Sequence, residues 1–125
     1  MIRFLLDADT AIFAMVDADS KIVRRISRSA PGEIGISSIS FAEIALGVRN
    51  QKPPPPGALE AFVAAIPILP FDEAAARTYA TLPFKRARFD RLLAAHARTL
   101  GASVVTNNEA DFADVEGLKI ENWTL

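Results

Sequence analysis

Four acids in this chain stand where a fold could gather them. Asp7 ends an apolar run, residues 2–6, interrupted only by Arg3. Glu43 lies on a second apolar-periodic stretch, three residues after Ser40. Asp90 opens a third, just after a basic segment. Asp111 follows the short run Ser103-Val104-Val105 by one turn, and Thr106 stands at the end of that run. Carboxylates crowded together repel, and their pKa values rise unless a cation joins them. The chain has no cysteine and a single histidine, His96. A metal held here needs oxygen donors, which favours hard ions such as Mg²⁺ or Mn²⁺. Such an ion can orient a water, lower its pKa and neutralise charge on a phosphoryl oxygen. These residue types therefore point to metal-dependent phosphodiester cleavage.

Each acid also has a plainer reading. Asp7 could start a turn. Asp9 or Thr10 suits the N-cap of the helix that follows. Ser40 and Glu43 match a capping box, and Asn108 and Asp111 match a weaker one. Asp90 suits the positive end of a helix dipole. Thr106 could bond the backbone of the next turn. His96 sits on an apolar helix and reads as a hydrogen-bonded interior histidine.

The elements decide between the two readings. Residues 2–6 form a buried strand, and residues 10–16 a short buried helix. Residues 20–29 are an amphipathic helix with Ile22, Val23 and Ile26 on one face. Residues 33–37 form a second strand, and residues 40–48 a helix. The run Gln51-Lys52-Pro53-Pro54-Pro55-Pro56-Gly57 is a stiff connector. A helix over 58–66, a short strand at Ile68-Leu69 and a helix over 72–82 follow. Residues 83–89 are a compact basic loop, residues 90–100 a helix closed by Gly101, and residues 103–105 a buried strand. A helical turn runs through Phe112, and a last strand spans 118–123 with Trp123 as its anchor. Strands alternate with helices throughout, which predicts an α/β domain with a central parallel sheet flanked by helices, one unit over 1–125. In such a sheet, strand ends and the first turns of helices share one edge, where ligands bind. Asp7, Glu43, Asp90 and Asp111 all belong to that edge. Lys85, Arg86, Arg88 and Arg91 surround Asp90 and could hold a polyanionic backbone there.

Composition sets the outer bounds. The chain has 125 residues, half of them hydrophobic, with a formal net charge of −1. That fits a globular domain with a real core and excludes a globally basic nucleic-acid binder. The absence of cysteine excludes disulfides and thiolate metal sites. No apolar run approaches the roughly 20 residues of a membrane span, and no leader is read at the start. The expected compartment is the cytoplasm.

Four segments together resemble a known family. Leu5-Leu6-Asp7, the stretch from Ile36 to Glu43 (ISSISFAE), the stretch from Asp90 to Ala97 (DRLLAAHA), and Val105-Thr106-Asn107-Asn108 through Asp111-Phe112 are similar to the PIN-domain toxins of the VapC type. The likeness runs from Ile2 to Trp123. It implies a Mg²⁺-dependent endoribonuclease, with Mn²⁺ as a substitute, in which clustered acids bind the metal and activate water to cut an RNA strand. By the resemblance, Asp7 and Asp90 are the principal metal ligands. Glu43 and Asp111 complete the acidic groove, and Thr106 supports it. The family also implies a VapB-type antitoxin whose tail covers the groove, a toxin homodimer, a heterotetramer or larger assembly with the antitoxin, and contact with DNA only through the antitoxin. Two features depart from the pattern. The segment before Asp90 is short and basic, and Ala8-Asp9 stands where Thr-Asn is common.

Two competitors remain at this stage. Asp7-Ala8-Asp9-Thr10 has the acid pair of a haloacid-dehalogenase-like phosphatase, but its Thr comes one residue early, and no catalytic Lys or later acid pair is evident. A non-catalytic PIN-like module that binds RNA or protein would have no reason to gather repelling acids.

Overall fold

Phe4–Leu6 (β1) is apolar on both sides because helices cover both faces of the sheet around it. The computed structural model describes residues 1–125. Its elements are β1, Ala8–Val16 (α1), Lys21–Ser27 (α2), Ile34–Ser37 (β2), Ser38–Arg49 (α3), Pro56–Ala65 (α4), Ile68–Leu69 (β3), Glu73–Tyr79 (α5), Arg88–Leu100 (α6), Ser103–Val105 (β4), a 3₁₀ turn at Glu109–Asp111, and Ile120–Glu121 (β5). The five strands are all parallel, in the order β3-β2-β1-β4-β5. This is the α/β architecture the alternation of elements predicted.

The side-chain period of two divides the core. Phe4, Leu6, Ile34, Ile36 and Val105 pack against α1, α2, α3 and α4 through Ala11, Ile22, Ile44 and Leu59. Leu5 and Val104 face the other way, onto Leu93, Ala94 and Ala97 of α6 and onto Phe112 and Val115. Trp123 closes the first core. Its ring meets Phe4 edge-on at 5.1 Å and its Nε1 donates to Glu121 at 2.9 Å. It thus anchors the chain end, although β5 is only two residues long and not the six predicted.

The chain builds outward from β1 to β3, then returns to place β4 on the other side of β1. The strand order reverses at the β1–β4 pair, which is where a doubly wound sheet opens a crevice. The Asp7 amide donates to Val105 O at 3.0 Å, so Asp7 lies at that point.

Four helices start two residues earlier than the sequence reading, α6 among them, at Arg88 instead of Asp90. α1 begins at Ala8, and its N-cap is Asp7, not Asp9 or Thr10: Asp7 Oδ1 accepts the Thr10 amide at 2.8 Å. α3 begins at Ser38 with Ser37 as cap, because β2 runs into the helix with no loop between them. The proposed Ser40–Glu43 capping box does not form, and Ser40 is buried inside the helix. α4 starts within the proline run, with Pro55 at the cap and Pro56 in the first turn, where a missing amide costs nothing.

Candidate active site

Every element that carries a candidate acid ends or begins at the carboxyl edge of the sheet. β1 hands over Asp7, which is buried at 7 % exposure. α3 leaves the end of β2 and presents Glu43 from its second turn, half-buried. α6 runs antiparallel to the strands, so its first turn, with Asp90, lies at the same edge. β4 ends in Thr106, and the 3₁₀ turn beyond it carries Asp111. Asp9, exposed in the first turn of α1, joins them.

The electrostatics show that these acids share one space. Burial raises the Asp7 carboxyl above its ordinary value, the charge of Asp9 adds to this, and hydrogen bonds from Thr106 and the Thr10 amide oppose it. Glu43 is pushed up to about 7 by burial first, then by Asp90, Asp9 and Asp7. Asp90 is raised by burial, then by Asp111, Asp7 and Asp9, with Arg91 pulling the other way. Each acid named in the sequence reading is thus brought within electrostatic reach of another, and Asp9 proves to be part of the group.

Thr106 bonds the backbone of the next turn, as its plainer reading expects, and also reaches Asp7. Its Oγ1 accepts the Asn108 amide at 2.9 Å, which fixes the hydroxyl and leaves its proton for the Asp7 carboxylate. His96 is structural, as its apolar surroundings predicted. Its Nδ1 lies 2.8 Å from Ser37 Oγ and its ring meets Phe71 edge-on. Ser37 Oγ also accepts the Ile39 amide, and its proton and second lone pair suit either tautomer of the neutral imidazole. Burial lowers the His96 pKa and favours the same form.

The basic run divides, which corrects the sequence reading. Arg91 is 1 % exposed and its Nη2 pairs with both oxygens of Asp114, the Oδ2 contact at 2.6 Å. Lys85 reaches the same carboxylate at 3.3 Å. Only Arg86 and Arg88 stay open at the groove, with Phe84 and Phe89 beside them. Asp114 was not singled out from the sequence. Its only signal was its place as the third acid in Glu109-Ala110-Asp111-Phe112-Ala113-Asp114, and nothing in that spacing names Arg91 as its partner.

Do these donors suit a cation? Their chemistry does: oxygen only and acidic, with the proton affinities of Asp7, Glu43 and Asp90 raised in a way a bound ion would relieve. No three of them close tightly enough to enclose a bare ion.

Comparison with known proteins agrees with this geometry. The PIN domain family model matches residues 5–118. The tRNA(fMet)-specific endonuclease VapC of Shigella flexneri is 32% identical, over 99% of this chain and 100% of its own length. The protein of the same name from Salmonella typhimurium is 30% identical, over 98% and 99%. Among solved structures, that of DNA-bound VapBC from Salmonella typhimurium superposes with a TM-score of 0.83 at 28% identity, covering 98% of this chain and 99% of that one. The chain belongs to the PIN-domain family and, within it, to the VapC-type endoribonuclease toxins.

Proposed function

We propose that this chain cuts RNA at the acidic groove, with Asp7 and Asp90 as the metal ligands, Glu43 and Asp111 completing the groove, and Thr106 holding Asp7 in place. The observation that carries this is the convergence of acids from β1, α3, α6 and the turn after β4 on one edge, where burial and mutual repulsion raise the proton affinities of Asp7, Glu43 and Asp90. A bound Mg²⁺, or Mn²⁺ in its place, would supply a water of lowered pKa and neutralise charge on the scissile phosphate. The chain's own residues do the rest. Asp7 is fixed by the Thr10 amide and the Thr106 hydroxyl, so its geometry is set before substrate arrives. Glu43, pushed up to about 7, is the carboxylate able to take up and release a proton near neutrality. Arg86 and Arg88 favour a polyanion at the mouth.

The relatives named as tRNA(fMet)-specific endonucleases make tRNA the substrate class to test first. The VapBC structure supports a VapB-type antitoxin as partner, with DNA reached through that antitoxin. A toxin homodimer, a heterotetramer or larger with the antitoxin, a cytoplasmic site of action and a single PIN-like unit over 1–125 complete the reading. No helix is long and apolar enough to cross a membrane. Family membership sets aside the phosphatase alternative. The test is incubation of the purified protein with total RNA, with and without Mg²⁺, followed by mapping of the cut ends. Metal-dependent cuts at defined sites are expected. Cleavage that survives chelation, or none at all, would overturn the assignment.

A further inference from the structure

The loop from Leu82 to Arg88 carries an arrangement that cleavage alone does not use. Phe84 is 73 % exposed and Phe89 56 % exposed, an unusual cost for two aromatic rings in a folded chain. They line a cleft of about 960 Å³ together with Arg86 and Arg88, and Glu43 and Asp90 form its inner wall. The Arg88 guanidinium lies over the Phe84 ring, 5.9 Å from its centre. Neither Arg86 nor Arg88 takes part in an ion pair. The two other cations nearby, Lys85 and Arg91, both pair with Asp114. The segment is therefore tied down through Lys85 and Arg91, while Phe84, Phe89 and the two guanidinium groups without ion-pair partners stay exposed.

A nucleotide presents a flat π face and an anionic phosphate in one unit. Exposed rings beside unpaired arginines match both halves of it, and base stacking on aromatic side chains is how single strands are gripped without pairing. An acidic protein segment would find the arginines but not use the ring faces. We propose that Phe84 and Phe89 form a stacking subsite for an unpaired RNA base next to the bond that is cut, with Arg86 and Arg88 on its flanking phosphates. This deepens the nuclease reading and rests on it for the identity of the neighbouring acids. The substrate so selected is a loop or an unpaired end, because a base inside a duplex cannot present its face to the rings.

The test separates the subsite from the nuclease. Phe84→Trp is placed in the Asp7→Asn protein, and its fluorescence is followed as single-stranded oligoadenylate is added, against an oligomer of the same length with abasic riboses. Quenching by oligoadenylate and not by the abasic strand is expected. No quenching, or equal quenching by both, would overturn the proposal. In the otherwise unaltered chain with Mg²⁺ and a short unstructured RNA, Phe84→Ala should raise KM roughly tenfold and leave kcat nearly unchanged. Phe84→Tyr should restore KM and Phe84→Leu should not. If leucine serves as well as phenylalanine, the patch is an apolar contact for a protein and the stacking role falls. If the tryptophan is quenched while the unaltered chain cuts no RNA, the subsite stands and the nuclease reading fails.

Discussion

Asp7 Oδ1 accepts the Thr10 amide, so half of this carboxylate holds the first turn of α1 while its charge lies buried at the sheet edge. The cap and the candidate ligand are one residue, and that guides the choice of variant. Asparagine also caps well, so Asp7→Asn removes the charge and keeps the cap, whereas Asp7→Ala loses both. RNA cleavage should vanish in both. In thermal melts the alanine variant should be the less stable of the two by about 1 kcal/mol, the usual worth of a cap. Equal stability would show that the cap contributes nothing, and retained cleavage by Asp7→Asn would remove Asp7 from the site. Asp90→Asn should likewise lose cleavage without unfolding, as read by circular dichroism alongside the RNA assay. The sequence could place Asp7 at a strand end, but not assign the cap. Asp7, Asp9 and Thr10 are all good capping residues, and the choice depends on where β1 stops. The same applies to Glu43. Its capping-box spacing with Ser40 is real as a pattern, yet β2 enters α3 three residues earlier and leaves the Glu43 carboxylate free for the groove.

At the scale of elements, the segment before α6 is held by a carboxylate from the far side of the chain. Asp114 follows the turn that carries Asp111 and binds both Lys85 and Arg91. Those two cations hold its carboxyl below its ordinary value, the Arg91 hydrogen bonds first among the causes. Arg91 Nε and Nη1 are buried without partners, so the guanidinium depends on Asp114 for its only hydrogen bonds. Removing one partner of such a pair leaves a buried charge uncompensated. Asp114→Asn should therefore lower the melting temperature and expose the loop: trypsin should cut after Lys85 or Arg86 markedly faster than in the unaltered chain. Arg91→Gln with Asp114→Asn should recover part of the stability but not the loop protection. Unchanged trypsin rates in Asp114→Asn would mean the clamp does not hold the loop. Periodicity revealed nearly all of the elements, because buried helices and strands announce themselves in apolar spacing. It said nothing about this clamp. Four neighbouring cations read as one solvated or substrate-facing patch until the fold shows that two of them turn inward.

For the whole molecule, parallel topology explains why four acids spread from residue 7 to residue 111 meet at all. With every strand parallel, strand ends and helix starts fall on the same side, and the return from β3 to β4 sets Asp7 and Thr106 next to each other at the β1–β4 switch point. This much was legible in the sequence, since alternation of strand and helix already implies a shared edge. The cost of gathering acids there follows from linkage. Glu43 has a folded pKa of about 7 against an ordinary 4.5, and Asp7 and Asp90 are also raised. Between pH 4.5 and 7 the folded chain holds a proton at Glu43 that the unfolded chain has released, so metal-free stability falls as pH rises through that window. At this half-buried carboxylate the loss is about 1–2 kcal/mol after solvent screening. Glu43→Gln removes the effect. It should be more stable than the unaltered chain at pH 8 without metal and no more stable at pH 4. Mg²⁺ binds the ionised carboxylates in competition with protons, so it should raise the melting temperature of the unaltered chain clearly at pH 8 and weakly at pH 5. Asp7→Asn should blunt that rise. Melting curves at the two pH values, with Mg²⁺ and with chelator, decide the matter. A stability that climbs from pH 5 to pH 8 in chelator would show that Glu43 holds no extra proton in the fold, and a Mg²⁺ effect indifferent to pH and to Asp7 would show that these acids are not the ion's ligands.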